Sequence, residues 1–255
     1  MPTYPAQCLV LTRRDIGEND RCITALTPEH GKRNFVMRGA RRSGSKLSGA
    51  TEPFTRLRVL VATGKSLDVV TQCEVVAVYS ALRSSMAGLA GACYLCDVVD
   101  ALLHEHDQQS AAAVFNLLCH ALNLMQQPAM WPDAIINATL LRLMAELGYA
   151  PHLESCSCCV EPLDGGPAGF SPSSGGVTCR VCASSIKDAV SLSAEAVALI
   201  GILSRAGART LLELCPPEKP AALATNAIQG YVQFHAGRLL KSAEFLQALR
   251  MGRGL

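Results

Sequence analysis

The first third of the chain is patterned as short β-strands. Short apolar runs alternate with turn residues, and none of the runs has the three- to four-residue period of an amphipathic helix. Five strands of this kind predict a small all-β barrel. The predicted strands cover residues 8–12, 22–26, 34–37, 57–62 and 67–78.

After residue 80 the pattern becomes helical, with apolar residues recurring at intervals of three and four. Gly148 is the expected C-terminal stop of one helix, and Ser193 is the expected N-cap of another. Pro216, Pro217 and Pro220 are expected to bound a loop. The predicted helices cover residues 81–105, 111–126, 133–147, 194–205, 223–240 and 243–249.

A cysteine-rich segment lies between the third and fourth of these helices. Cys156 and Cys159 form one Cys-x-x-Cys hook, and Cys179 and Cys182 form a second after nineteen residues rich in glycine and proline. This spacing predicts a four-cysteine zinc site, because each hook places two thiolates at the separation that a tetrahedral ion needs. Four thiolates leave no open position for substrate, so one structural Zn²⁺ is expected. Cys158 is a fifth thiol inside the first hook, and a pairing through it stays open.

The remaining cysteines do not indicate a disulfide scaffold. Six of the eight cysteines outside the hooks lie among apolar neighbours, and no secretory signal is recognised, so we expect a reducing compartment. Residues 108–132 carry no Asp, Glu, Lys or Arg, but polar residues and prolines interrupt this stretch well short of a membrane span. We therefore predict no membrane helix.

Charge is distributed unevenly along the chain. Residues 1–82 carry twelve Lys/Arg against seven Asp/Glu, a formal charge of +5, whereas the remainder carries −3, which gives the net +2. A basic N-terminal part on a mildly acidic body suggests a polyanion as partner, with nucleic acid the commonest case. A solvated surface that happens to be basic is the alternative.

The loop between the third and fourth strands is the leading candidate for contact with nucleic acid. Glycine and serine punctuate it, so its cations can move onto phosphates, each contact adding salt-dependent affinity without base preference. Rings are scarce in residues 1–82, so backbone contacts should outweigh base stacking and leave bases free to pair. The first candidates are Arg38, Arg41, Arg42 and Lys46, and the second are Arg13, Arg14, Lys32 and Arg33.

The order of basic barrel, helices, four-cysteine hairpin and helices resembles the bacterial recombination mediators of the RecO family. The resemblance is carried by residues 11–20, 36–54, 147–151 and 231–246, and the additional Cys158 departs from it. It implies an α+β fold in which a five-stranded OB-fold barrel precedes an α-helical domain that carries the zinc hairpin. The expected domains are residues 1–80 (DNA-binding barrel), 81–152 (helical domain, first part), 153–186 (zinc hairpin) and 187–255 (helical domain, second part).

The resemblance also implies a function without a catalytic centre. Such a protein would bind single- and double-stranded DNA, anneal complementary strands and, together with RecR, help to load RecA on strands coated with single-strand-binding protein. Its expected location is the cytoplasm, in association with the nucleoid. An RNA-binding protein of the translation machinery with a basic barrel and a zinc ribbon is the alternative. A zinc-dependent nucleobase deaminase is disfavoured, because neither hook follows a proline.

Overall fold

The computed structural model describes residues 2–105, 107–163 and 168–250. The chain forms two compact units, one made of Met1–Gln126 together with Leu240–Leu255 and the other of Gln127–Leu239. The second unit is therefore inserted between two sequence segments of the first. No helix in the described part of the chain is long and apolar enough to cross a membrane.

The five strands of the first unit all lie within the first 78 residues of the chain. The strands are β1 (Thr3–Ile16), β2 (Asp20–Thr27), β3 (Gly31–Met37), β4 (Thr55–Ala62), β5 (Asp68–Val78), β6 (Ala168–Ser171), β7 (Gly176–Thr178) and β8 (Val190–Leu192). The helices are α1 (Leu47–Ala50), α2 (Ser80–Arg83), α3 (Met86–Leu102), α4 (Ala111–Leu124), α5 (Asp133–Glu146), α6 (Arg180–Ala183), α7 (Ala194–Arg205), α8 (Ala208–Glu213), α9 (Glu218–Ala236) and α10 (Lys241–Arg250).

The first five strands close into a barrel with the order β1-β2-β3-β5-β4. This is the strand order of an OB fold, and it confirms the predicted α+β class with a five-stranded barrel. Neighbouring strands are antiparallel except β3 and β5, which pair in parallel at Phe35 with Asp68 and at Val36 with Val69. The barrel is therefore closed by a short seam.

Alternating side chains of these strands fill the barrel interior. Burial raises the pKa of the Cys8 thiol, which is inaccessible to solvent, so this cysteine acts as a small apolar core residue. Pairing extends β1 beyond its apolar run, because Arg13–Ile16 continue the ladder with β2. The core includes Cys8, Val10, Ile23, Ala25, Phe35, Met37, Leu57, Val59 and Val61.

The longer helices of the first unit are α3, α4 and α10. Helix α3 contacts β1 and α10, and α4 contacts β2 and β3. The predicted helix over 81–105 is interrupted in the structure, because Ser85 caps α3 by accepting a hydrogen bond from the N–H of Gly88 at 3.0 Å. Serine hydroxyls compete with helical bonding in this way and favour a new helix start.

Helix α5 forms the centre of the second unit, where it contacts α7, α8 and α9. It ends at Glu146, and Gly148 follows the C-cap Leu147 in the left-handed conformation with φ +82°, as predicted for the C-terminal stop. Ser193 caps α7 as predicted, accepting a hydrogen bond from the N–H of Ala196. The assignment of Pro220 to a loop is wrong, because α9 starts at Glu218 and holds this proline in its first turn, where the missing N–H removes no helical bond.

Candidate metal centre and nucleic-acid interface

The first cysteine hook is a tight turn closed by backbone hydrogen bonds. The N–H of Cys156 donates to the carbonyl of Glu161, and the N–H of Val160 donates to the carbonyl of Cys156, both at 2.9 Å. The turn is fixed to β7 because the N–H of Ser157 donates to the carbonyl of Val177 at 2.8 Å. These bonds bring the first hook beside the strand that leads into the second.

The second hook follows β7 directly. Cys179 is the N-cap of the short helix α6, and its sulfur accepts a hydrogen bond from the N–H of Cys182 at 3.4 Å. Gly176 lets β7 lie against the segment that leads into the first hook, since a Cβ there would be 2.2 Å from the carbonyl oxygen of His152. The close approach therefore requires a glycine.

The four cysteines of the two hooks come together. The sulfur atoms of Cys156, Cys159, Cys179 and Cys182 all lie within 4.8 Å of one another, and those of Cys159 and Cys179 are 3.9 Å apart. A zinc ion with four bonds of about 2.3 Å in tetrahedral geometry separates its sulfur ligands by about 3.8 Å. The four thiols therefore fit a tetrahedral metal ion.

The electrostatics of the cluster also favour a cation. Burial disfavours the thiolate of Cys156, but backbone N–H groups of Cys159, Cys179 and Cys158 outweigh it and lower the pKa to about 6. Hydrogen bonding to the sulfurs of Cys179 and Cys159 raises the pKa of Cys182. Crowded thiols cannot all ionise without a counter-charge, and a metal ion provides it.

Cys158 lies outside this group of four, although it is next to Cys159 in sequence. Its side chain is exposed, and the structure places the two predicted hooks, rather than a pairing through Cys158, around the common centre. Within the second unit the hairpin packs on helix α9 through Phe170, whose ring meets that of Tyr231 edge-on at 5.5 Å. The hairpin sheet, in the order β7-β6-β8, thus connects the cysteine cluster to the helices of its unit.

The predicted basic loop lies beside the turn between β1 and β2. The N–H of Gly39 donates to the carboxylate of Asp20 at 2.8 Å, and the N–H of Arg41 donates to the carbonyl of Asn19 at 2.9 Å. Both Gly39 and Gly44 have φ near +70°, the left-handed conformation that glycine adopts at little cost. The loop is therefore anchored at its start and turns back through its glycines.

The eight predicted cations differ in their surroundings. Arg38, Arg42 and Lys46 are exposed, and no ion pair joins them to the carboxylates of residues 2–105, 107–163 or 168–250. Arg14 is exposed and its Nη2 lies 4.0 Å from the sulfur of Cys22. Half-buried Arg33 donates to the carbonyl of His30 at 3.2 Å.

Three of the eight are joined to carboxylates. Lys32 is 9% exposed, and its Nζ lies 3.1 Å from Oδ1 of Asp100 in α3, so it links the barrel to a helix of the same unit. Arg13 pairs with Glu52 at 2.6 Å, and Arg41 pairs with Asp15 at 3.3 Å. Both carboxylates are also bound by Arg21, at 3.4 and 3.2 Å respectively.

The two carboxylates that pair with Arg13, Arg21 and Arg41 were not identified from the sequence. Asp15 faces Arg21 directly across the β1–β2 ladder, a pairing that follows once the register of that hairpin is known. Glu52 reaches the same group from the turn that leads into β4, and no local pattern indicates that contact. The register of the β1–β2 hairpin could therefore have identified Asp15 from the sequence, but nothing comparable could have identified Glu52.

Comparisons with known proteins cover nearly the whole chain. Residues 1–79 match the family "Recombination protein O N terminal", and residues 83–244 match "Recombination protein O C terminal". The chain is 33% identical to a "DNA repair protein RecO" of Symbiobacterium thermophilum over 255 residues, covering 99% of this chain and all of the relative. A protein of the same description from Myxococcus xanthus is 34% identical, with 96% and 98% covered. With its OB-like barrel, helical part and four-cysteine cluster, the chain belongs to the RecO family of DNA repair proteins.

Proposed function

We propose that this chain is a recombination mediator that binds single-stranded DNA through the basic face of its barrel and anneals complementary strands. The observation that carries this proposal is the group of exposed cations Arg38, Arg42 and Lys46 on one anchored loop, in a chain of the RecO family. Cations spaced along an exposed loop neutralise phosphates along a strand without reading the bases.

The rings of the barrel support annealing over base stacking. Phe35, Phe54 and Tyr79 are buried, and half-buried Tyr4 donates from its hydroxyl to Asp68 at 2.6 Å. These four are the Phe and Tyr rings in described residues 2–79, and the ring of His30 packs edge-on against that of Tyr4 at 4.9 Å. A strand held through its phosphates keeps its bases free to pair with a second strand.

The second part of the proposal is one structural zinc ion held by Cys156, Cys159, Cys179 and Cys182. A bound Zn²⁺ supplies charge neutralisation and a tetrahedral crosslink between the hooks. The hairpin's own residues position the thiolates through the N–H groups described above. With four protein ligands the ion has no site for substrate, so its role is in folding and not in a reaction.

We further propose that the chain acts stoichiometrically and is not an enzyme. Bringing two strands into one charged layer raises their local concentration and screens their repulsion, which accelerates pairing without a catalytic group. Membership of the RecO family supports the further roles inferred from the resemblance. These are binding to double-stranded DNA, cooperation with RecR and single-strand-binding protein, assistance to RecA loading, and a cytoplasmic, nucleoid-associated location.

A strand-annealing assay tests the proposal. Complementary oligonucleotides coated with single-strand-binding protein should anneal faster with the wild-type chain than without it. The loop variant Arg38→Ala/Arg41→Ala/Arg42→Ala/Lys46→Ala should lose most of this acceleration. The charge-matched control Arg180→Ala/Lys187→Ala/Arg209→Ala/Lys219→Ala removes four cations of the second unit and should retain it. Equal loss in both variants would mean that overall charge, not this loop, is responsible.

The alternative is an RNA-binding protein of the translation machinery. It is distinguished by measuring affinity for single-stranded DNA and RNA of the same sequence at one salt concentration. The mediator proposal expects DNA to be bound at least as tightly as RNA and annealed. A strong preference for RNA without annealing of DNA would favour the alternative.

A further inference from the structure

We propose that Arg21 is a positioning residue that holds two carboxylates so that Arg13 and Arg41 can exchange them for DNA phosphates. This inference rests on the proposed binding of single-stranded DNA by the barrel. It concerns a chain of alternating charges that runs from β1 through the β1–β2 turn to the basic loop, in the order Arg13, Glu52, Arg21, Asp15, Arg41.

Each carboxylate in this chain of charges is shared. Oε1 of Glu52 lies 2.6 Å from Nη1 of Arg13 and 3.4 Å from Nη1 of Arg21. Asp15 uses Oδ1 for Nε of Arg21 at 3.2 Å and Oδ2 for Nε of Arg41 at 3.3 Å. Neither carboxylate therefore depends on a single cation.

Arg21 differs from the two outer arginines in burial and in number of partners. Its side chain is 15% exposed, against 34% for Arg13 and 36% for Arg41. Its Nη1 also donates to Oγ1 of Thr51 at 2.8 Å and to the carbonyl of Ser48 at 3.4 Å. Arg13 has one ion pair, and Arg41 has one ion pair and a hydrogen bond from its Nη1 to the carbonyl of Gly17 at 2.9 Å. A guanidinium fixed by four acceptors stays in place, whereas a more exposed arginine with one or two partners reorients more easily.

The exchange follows from this asymmetry. When a phosphate approaches Arg13 or Arg41, the outer guanidinium can leave its carboxylate and bind the phosphate with similar geometry. The carboxylate is not left without a counter-charge, because Arg21 still holds it. Without the fork of Arg21 the same exchange would strand Glu52 or Asp15 beside an incoming polyanion, and like charges would oppose binding.

Two sets of variants test this role by affinity for an unstructured oligodeoxythymidine at low salt. Asp15→Asn/Glu52→Gln removes the carboxylates that compete for the outer arginines, so binding should tighten by about fivefold, as expected when two exposed ion pairs need not be exchanged. The matched control is Glu29→Gln/Glu74→Gln, which makes the same charge change at exposed barrel positions outside the chain of charges. It should tighten binding clearly less.

Arg21→Lys keeps the charge but loses the fork that reaches both carboxylates, and it should weaken binding by about fivefold. In the Asp15→Asn/Glu52→Gln background the same change should have little effect, because no carboxylate remains to be held. A purely structural role of Arg21 would weaken binding in both backgrounds. Thermal unfolding of each variant shows whether it folds. If Arg21→Lys does not fold, the comparison of Asp15→Asn/Glu52→Gln with its control tests the inference.

Three outcomes overturn the inference: wild-type affinity of Arg21→Lys, equal weakening by Arg21→Lys in both backgrounds, or an amide pair that binds no more tightly than its control. Each outcome is judged relative to wild-type binding of the oligodeoxythymidine, which must first be shown to be salt-sensitive. If the wild-type chain itself binds no single-stranded DNA, the proposed function fails, and that result is distinct from failure of the positioning role.

Discussion

The sulfur atoms of Cys159 and Cys179 lie 3.9 Å apart although the two residues are twenty positions apart in the chain. One follows a tight turn and the other caps a helix, so two different local structures meet at one point. A metal ion at this point would join the two sides of the hairpin.

Removal of the second hook tests the zinc proposal. Wild type should carry one zinc per chain, and Cys179→Ser/Cys182→Ser should carry none and unfold at lower temperature, because binding of a structural ion is coupled to folding. Metal analysis and thermal unfolding measure both. The control is Cys158→Ser/Cys215→Ser, which replaces two exposed cysteines outside the cluster and should keep the metal. Stoichiometric zinc in the first variant would contradict the assignment.

The packing of the hairpin makes a second prediction through its glycines. Gly176→Ala places a Cβ against the backbone of His152, whereas Gly175→Ala, at φ +80°, has no atom within 4 Å of the new Cβ. The Gly175 variant should lose about 1 kcal/mol of stability from left-handed strain alone. The Gly176 variant should lose more and also bind zinc less well. Equal losses in a denaturant titration would mean that the contact with His152 is not needed.

Salt dependence gives a third prediction, for the basic loop. If each of Arg38, Arg41, Arg42 and Lys46 neutralises one phosphate, changing all four to Ala should reduce the slope of log affinity against log salt by about 3, from about 0.7 for each phosphate. The four-cation control on the second unit should keep the wild-type slope. Binding of a fluorescent oligonucleotide over a range of salt concentrations measures both. An unchanged slope in the loop variant would place the DNA contacts elsewhere.

Stability should depend on pH through His235. Burial among rings lowers the pKa of His235, whose centroid lies 4.6 Å from those of Tyr149 and Tyr231. Because the pKa of this histidine is lower in the folded state, the unfolded state takes up the proton first as the pH falls. The free energy of unfolding is therefore unaffected by protonation of His235 above its unfolded pKa of about 6.5 and decreases as pH falls below that value. His235→Phe should therefore lose less stability than wild type between pH 7.5 and 5.5. His120→Gln, on an exposed face of α4, is the control and should behave as wild type.

Stoichiometric action predicts the shape of an annealing titration. The rate should rise with protein until the DNA is covered, proceed without ATP and weaken as salt screens the basic face. A titration against a fixed amount of complementary DNA at several salt concentrations measures this. Full annealing at catalytic amounts, or a requirement for ATP by this chain alone, would reveal a site that the proposal lacks.

Elements with a strong local signal were predictable from the sequence. The five barrel strands, the stop at Gly148 and the cap at Ser193 each depend on neighbouring residues, and the structure confirms them. The spacing of the cysteines also predicted which four sulfur atoms lie together in the structure, since two short hooks leave few other arrangements. Their role as metal ligands stays a prediction.

What could not be predicted depends on contacts between distant residues. Lys32 belongs to a basic part of the sequence, yet Asp100, 68 positions later, binds it. The same holds for Arg13, whose partner Glu52 lies on another turn. A count of charges treats these cations as equal to Arg38 and Lys46, and only the packing of the barrel against its helix and turns separates them. The contact of each cation with DNA stays a prediction.

The place of α10 in the first unit has a consequence for biosynthesis. Ser242 of this helix donates from its hydroxyl to Asp97 of α3 at 2.6 Å, across 145 positions of sequence. At translation rates of about 5–20 residues per second, α3 is synthesised roughly 7–30 seconds before its partner. During that interval the inserted unit is synthesised in full while the surface of α3 that receives α10 stays uncovered. The unit that starts first is therefore the one completed last, and a nascent chain depends on the solubility of that surface until translation passes residue 250.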